Sequence, residues 1–238
     1  MTETFALPSG IEVEIKELSG KSEQILSDKR ELRDGKWLNK FLASALVSVD
    51  GKPVPSNQGE LVNLLLDMKT GDRNYLMLRV RMASYGEEMQ FNWECPKCHA
   101  TAGYELNLQH LLDDGTLKVY PFRNDMPLIV ETRAGIAEVD YMTGRTEQWI
   151  AQLKNFDTIY LAMAACSSFN GKPPEYKEFL NMYVKDLTKI RLAFMSLKGG
   201  LDPQIELDCP ECGSHNKVML HQIPDFFTPL TMTGSFGL

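Results

Sequence analysis

Cys95-Pro96-Lys97-Cys98 and Cys209-Pro210-Glu211-Cys212 are the stretches on which the fold turns. Two residues between thiolates let one tight turn present both sulfurs to a single ion, and two such turns complete a tetrahedral four-cysteine zinc site. The flanks of the two pairs match. A strand-like run enters each (Met89-Gln90-Phe91-Asn92-Trp93; Gln204-Ile205-Glu206-Leu207), and a polar turn follows (His99 to Gly103; Gly213 to Lys217). A second strand-like run leaves (Tyr104 to Leu108; Val218-Met219-Leu220). Strand, knuckle, strand, twice over, predicts a zinc ribbon with one Zn2+ held by Cys95, Cys98, Cys209 and Cys212. Four cysteines leave no coordination position for water, so the ion reads as structural. A disulfide reading conflicts with a reducing cytosol. A redox dithiol would have to open a helix, and Ala100-Thr101-Ala102-Gly103 opens none. His99 and His215 read as exposed turn residues. The fifth cysteine, Cys166, follows the apolar run Tyr160 to Ala165 and reads as a buried small hydrophobe.

The rest of the 238-residue chain is of ordinary globular composition, 43% apolar and 24% charged. That length suits two small domains or one large one. Twenty-five Lys and Arg face 32 Asp and Glu, a net charge of −7. This disfavours a general electrostatic grip on nucleic acid, though a local basic patch stays open. No apolar run approaches the roughly 18 residues of a membrane span. The opening Met1-Thr2-Glu3-Thr4-Phe5-Ala6 has neither the basic nor the apolar region of a secretory signal. The expectation is a protein made and used in a reducing cytosol.

The knuckles are too far apart for one simple ribbon, which directs attention to internal repetition. Ser19-Gly20-Lys21-Ser22-Glu23-Gln24-Ile25-Leu26 matches Thr143-Gly144-Arg145-Thr146-Glu147-Gln148-Trp149-Ile150. Val49-Asp50-Gly51-Lys52-Pro53 matches Phe169-Asn170-Gly171-Lys172-Pro173, and the knuckles follow in the same order. The matches predict an α+β fold built by internal duplication of a β-hairpin–helices–knuckle unit. Residues 1–118 hold the first unit with Cys95 and Cys98; residues 119–238 hold the second with Cys209, Cys212 and a C-terminal arm.

Within each unit a hairpin comes first, Phe5 to Ile15 and Leu128 to Val139. Ser19 or Thr143 is then placed to cap a short helix. Trp37, Leu38, Phe41, Leu42, Ala45 and Leu46 form one helical stripe, which the Gly-Lys-Pro turn is expected to stop. More helix is expected from about 61 to 82, interrupted near Gly71, and from about 176 to 197, broken by Gly199-Gly200. One ion shared by two knuckles would staple the halves, so its binding energy becomes folding energy.

Other motifs carry no chemistry. Gly20-Lys21-Ser22 lacks the upstream glycine of a phosphate loop, since Ile15 stands there. His99, His110, His215 and His221 form no evident catalytic set. Lys29-Arg30-Glu31-Leu32-Arg33-Asp34 mixes charges like a solvated helix end or loop. Arg79 and Arg81 are open to pairing with acids, a partner surface or snorkelling. No catalytic residues are expected, and the chain does not read as an enzyme. The uncharged segment after Asp225, Phe226 to Leu238, reads either as a strand on the second unit or as an arm docked on a neighbour.

Leu7-Pro8-Ser9-Gly10-Ile11-Glu12-Val13, Glu17-Leu18-Ser19-Gly20-Lys21, and Leu78-Arg79-Val80-Arg81-Met82-Ala83-Ser84-Tyr85-Gly86 leading into the first knuckle form a recognisable combination. It resembles a family of contractile-tail baseplate proteins, typified by a hub-associated protein of T-even phages and found also in phage-tail-like injection particles. The opening is similar to that of small phage tail-assembly chaperones too. The resemblance implies a non-enzymatic structural or assembly role, with baseplate, hub or tail proteins as partners. It implies residence in the cytoplasm during assembly and then in the baseplate of a virion or particle. No nucleic acid, membrane or small-molecule substrate is expected. The alternative is a zinc-ribbon nucleic-acid-binding or transcription adaptor, against which stand the acidic balance and the few cations near the knuckles, Lys97 and Lys217. A metal-dependent or redox enzyme lacks an open metal position.

Overall fold

Alternating residues build the first hairpin of the computed structural model, which describes residues 2–27, 37–123, 127–153, 155, 157–220, 223, 226 and 227. Strands β1 (Thr2–Ala6) and β2 (Glu12–Lys16) pair antiparallel, and Val13 and Ile15 turn fully inward. Helices α1 (Gly20–Ser27) and α2 (Trp37–Ala45) follow. Strands β3 (Leu46–Val49) and β4 (Lys52–Pro53) complete a sheet of order β1-β2-β3-β4. Helices α3 (Gln58–Asp67) and α4 (Thr70–Tyr85) lead to the knuckle hairpin, β5 (Glu88–Glu94) and β6 (Thr101–Asn107), and to α5 (Leu108–Asp113) and β7 (Val119–Tyr120).

The second stretch comprises β8 (Leu128–Thr132), β9 (Gly135–Val139), α6 (Gly144–Gln152), α7 (Thr158–Ala164) and β10 (Cys166–Phe169). It continues through α8 (Tyr176–Leu180), α9 (Val184–Ser196), β11 (Gly200–Leu201) and its own knuckle hairpin, β12 (Gln204–Asp208) and β13 (His215–Met219). The α+β class is as the sequence predicts. The charged run 29–34, His221 and the segment 228–238 lie outside the described residues.

Three local expectations need correction. The stripe helix does not run to the Gly-Lys-Pro turn: it ends at Ala45, and Leu46 opens β3, because β2 needs a second hydrogen-bonding partner. Asp50 and Gly51, both at positive φ (48° and 69°), therefore make a hairpin turn rather than a helix stop. The helical break falls at Met68 and Lys69, both extended, and Gly71 lies inside the first turn of α4. The knuckle turns are shorter than expected, and Leu108 opens α5 instead of ending a strand.

The hydrogen bonds of the two stretches correspond closely. Val13↔Val49, Glu14↔Ser48 and Ile15↔Leu46 pair with a bulge that skips Val47. Ala137↔Phe169, Glu138↔Ser168 and Val139↔Cys166 pair with a bulge that skips Ser167. Asp50 Oδ1 accepts from the Glu12 amide at 3.0 Å, and Asn170 Oδ1 from the Ile136 amide at 2.9 Å. Asn170 and Gly171 again take positive φ, 53° and 72°. A buried aspartate in the first turn of each long helix ties down the hairpin turn. Asp72 Oδ1 accepts from the Ser9 amide at 3.0 Å, and Asp186 Oδ2 from the Arg133 amide at 3.5 Å. Burial pushes the Asp72 carboxyl up, against the pull of the Ser9 hydrogen bond.

The hydrophobic interior is divided unequally. The smaller core gathers Ala137, Val139, Ala162, Phe169, Phe179 and Ile190 from the second stretch alone. The larger one holds Ile15, Phe41, Leu65, Leu76 and Phe91, and also Ile205, Leu207, Val218, Phe226 and Phe227. Both knuckle hairpins thus pack on the first stretch. The aromatic pair does neither of the things the sequence reading offered for the arm: Phe227 lies 4.6 Å from the Phe41 ring and 5.6 Å from Trp37.

A close backbone crossing carries the chain over. A Cβ on Gly71 would sit 2.3 Å from the Gly199 carbonyl oxygen and 2.6 Å from the Gly200 Cα. Beside it, the Thr70 amide bonds the Met142 carbonyl at 2.8 Å and the Gly144 amide bonds that of Met68 at 3.1 Å. Lys69 Nζ lies over the Phe122 and Tyr141 rings. Arg73, 3% exposed, donates to Asn39 (2.6 Å), the Leu65 carbonyl (2.9 Å) and Glu147 (3.1 Å). It thereby ties α2, α3 and α4 to α6.

Gly71→Ala should cost on the order of 2–4 kcal/mol in denaturant unfolding, because neither backbone can retreat. Gly20→Ala, where a Cβ meets nothing within 4 Å, should stay within about 0.5 kcal/mol of the parent. Phe227→Ala should cost about 3–5 kcal/mol by the same measurement, the loss expected for a truncated core aromatic.

Candidate metal centre

The two knuckle hairpins bring four sulfurs together. Within β5–β6, the Cys95 amide bonds the Ala100 carbonyl at 2.9 Å and the His99 amide bonds the Cys95 carbonyl at 2.9 Å. Within β12–β13, the Cys209 amide bonds the Ser214 carbonyl at 3.0 Å and the Gly213 amide bonds the Cys209 carbonyl at 2.9 Å. Each turn needs a left-handed residue at the same place, His99 (φ 60°) in one and Gly213 (φ 64°) in the other. This backbone frame aims both sulfurs of a pair to one side.

Cys95 Sγ lies 3.8 Å from Cys212 Sγ, and Cys98 Sγ lies 3.7 Å from Cys209 Sγ. All four sulfurs fall within 4.8 Å of one another. These separations far exceed the roughly 2.05 Å of a disulfide. They match the edge, about 3.8 Å, of a tetrahedron with metal–sulfur bonds of about 2.3 Å. The four-cysteine set can therefore hold one metal ion. Cys95 and Cys209 are buried, Cys212 is half-buried and Cys98 is exposed.

The surroundings of the sulfurs are uneven. Ser214 Oγ stands 3.2 Å from both Cys95 Sγ and Cys212 Sγ, and Asn216 Nδ2 lies 3.8 Å from Cys95 Sγ. The Ser214 hydroxyl draws the Cys95 thiol down to about 5 and lowers that of Cys212 as well. Cys95 and Cys212 are thus drawn toward the thiolate, the form that binds metal, whereas the Cys98 thiol is pushed up to about 12 among its neighbouring sulfurs. Tyr104 Oη donates to the Asp208 carbonyl at 3.1 Å and so joins the two hairpins directly. Ser214 and Asn216 escaped the sequence reading because the first knuckle places Ala100 and Ala102 at the matching positions. A polar residue in only one of two similar turns was the available signal.

The remaining candidates fall outside this cluster. His99 and His215 are exposed, as expected, and pair with Glu94 (3.1 Å) and Asp208 (2.5 Å). Cys166 opens β10, buried, with its thiol bonded to the Ala162 carbonyl at 3.3 Å. Arg79 pairs with Glu3 and lies over the Phe5 ring. Arg81, 1% exposed, donates to the Gly86 and Glu88 carbonyls, so both arginines have partners within the chain. Ile15, where a phosphate loop needs glycine, is a core residue of β2. Among the described residues no helix is long and apolar enough to cross a membrane.

Burial pushes the Cys166 thiol up to about 12. At pH 8 only roughly one molecule in ten thousand then carries the reactive thiolate. In chelator-treated native protein, iodoacetamide should label Cys212, half-buried and with its thiol lowered, well before Cys166. Cys166 should react at the ordinary thiol rate only after denaturation; peptide mapping of the alkylated sites checks this.

No curated protein and no solved structure matches the chain. A family model described as T4 bacteriophage base plate protein matches residues 1–228. With that span of its 238 residues covered, the chain belongs to the T4 bacteriophage base plate protein family.

Proposed function

We propose that the chain is a non-enzymatic structural or assembly component of a contractile phage tail or phage-tail-like particle baseplate. In this reading one Zn2+, held by Cys95, Cys98, Cys209 and Cys212, clamps two repeat units together. The observation that carries it is the four-sulfur cluster drawn equally from two distant hairpins in a chain of the base plate family. Zinc suits an all-thiolate tetrahedron of this size, and four protein ligands leave it no site for substrate.

Duplication is supported by the repeated order of elements, the matched bulges and the Asp50/Asn170 and Asp72/Asp186 hydrogen bonds. Each unit alone could offer the ion only two ligands, so metal binding and the union of the units are one event. The partners are then other baseplate, hub or tail proteins, and the destination is the baseplate of the particle.

The purified protein should carry one zinc per chain by elemental analysis. Changing any one of the four cysteines to Ser should lower metal content and melting temperature together, whereas Cys166→Ser should leave metal content unchanged. Mass spectrometry of purified particles should detect the chain. A metal-free protein that is as stable as the parent would end the clamp reading, and consistent absence from both particles and assembly intermediates would end the baseplate reading.

A further inference from the structure

Large apolar side chains stand exposed at Val119 and between Leu128 and Met195, whereas the described part of residues 2–107 exposes none of this kind. Helix α9 concentrates them. Val184 is 72% exposed, Leu192 60% and Met195 73%, with Thr188 between them. The spacing i, i+4, i+8, i+11 puts all four along one side of the helix. Asp186, Leu187 and Ile190 on the other side are buried, the last two in the smaller core. Tyr183 and Leu180, also exposed, extend the strip beyond the N-terminus of the helix.

The path of the chain explains why this face is bare. After α4 the chain turns at Gly86, and Leu78 and Arg81 of that helix are buried, with Arg81 donating to the Gly86 and Glu88 carbonyls at the start of the hairpin. After α9 it leaves through Gly200 toward α4, and its hairpin joins the larger core. In the correspondence of the two long helices, Leu192 and Met195 stand where Leu78 and Arg81 stand in the first.

Charge selects among possible occupants. The charged residues of α9 turned toward solvent, fully or in part, are Lys185, Lys189 and Arg191. Its one acid, Asp186, is 1% exposed and already engaged by Lys189 (3.4 Å) and the Arg133 amide. Arg133 adds another cation, stacked 4.6 Å from the Tyr183 ring. A second copy offering the same face would set these cations against themselves.

We propose that the exposed face of α9 docks an amphipathic helix of another subunit, one whose apolar stripe is flanked by Asp and Glu side chains. The inference rests on the assembly reading only for the source of that helix. Docking would bury Val184, Leu192 and Met195 and pair the acidic flank with Lys185 and Arg191.

The test uses the full chain with two labelled helical peptides, both with leucines at i, i+4, i+7 and i+11, one flanked by Glu and the other by Lys. In fluorescence anisotropy the Glu peptide should bind at least about tenfold more tightly than the Lys peptide, and added salt should narrow the gap. Leu192→Glu with Met195→Glu should abolish binding. Lys185→Glu with Arg191→Glu, two surface changes that spare the core, should reverse the preference. Circular dichroism and metal content verify that each variant folds. Equal affinity for both peptides, binding of neither, or self-association abolished by the Leu192/Met195 variant would each overturn the proposal. In particles, the folded Leu192/Met195 variant should be depleted while the parent is incorporated. A parent chain missing from particles would count against the assembly reading, and the peptide result would still stand or fall alone.

Discussion

The crossing of Gly71 with Gly199 and Gly200 is the constraint from which the arrangement of the chain follows. Two backbones at that separation exclude any side chain, and the contact fixes where β11 passes α4. From there β12 and β13 can only run beside the first knuckle hairpin, and their hydrophobic residues must enter the larger core. Arg73 secures the same junction from the polar side: its guanidinium is satisfied only when α6 of the second stretch stands against α4 of the first. A buried guanidinium with all its partners in place holds a definite geometry, since losing one would leave a charge stranded. The cysteine cluster is therefore the end of a chain of packing decisions that begins far from any sulfur.

That order of dependence gives the four thiols their character. Neither hairpin presents more than two ligands, and each turn is shaped by its own local bonds whether or not the other is near. The junction brings the half-sites to tetrahedral spacing, while Ser214 and Tyr104 reinforce contact between them. The cysteine cluster and the glycine crossing thus mark two places where the same stretches meet.

Much of this was written plainly in the sequence. The knuckles, the α+β class, the hairpins at 5–15 and 128–139 and the buried state of Cys166 all rest on local signals: tight Cys spacing, alternation, and turn residues. The strands Leu46–Val49 and Cys166–Phe169 were hidden because each follows a helix without punctuation, and only pairing with β2 or β9 reveals it. The sequence points to Gly71 rather than Met68 for the break because glycine reads locally as a helix breaker. Here its value is tertiary, the absence of a Cβ where another chain segment passes. Phe226 and Phe227 look like the start of a strand on the second unit or of an arm docked on a neighbour because nothing near them in sequence names Trp37 and Phe41 as partners of Phe227. Local chemistry is legible in a single chain, whereas long-range partners are not.

The seating of Phe227 against Phe41 has a consequence for how the protein is made. Phe41 leaves the ribosome early, and its aromatic neighbour emerges only after both knuckles have been synthesised. The larger core must wait until then for its last members. Contacts of such wide sequence separation close slowly, and the unfinished core exposes apolar surface meanwhile. A nascent chain stalled before residue 209 would carry two lone thiols at Cys95 and Cys98 and an open aromatic pocket. The interior of the part made first is therefore closed by one of the parts made later, and the four-cysteine cluster is completed at the same late stage of synthesis.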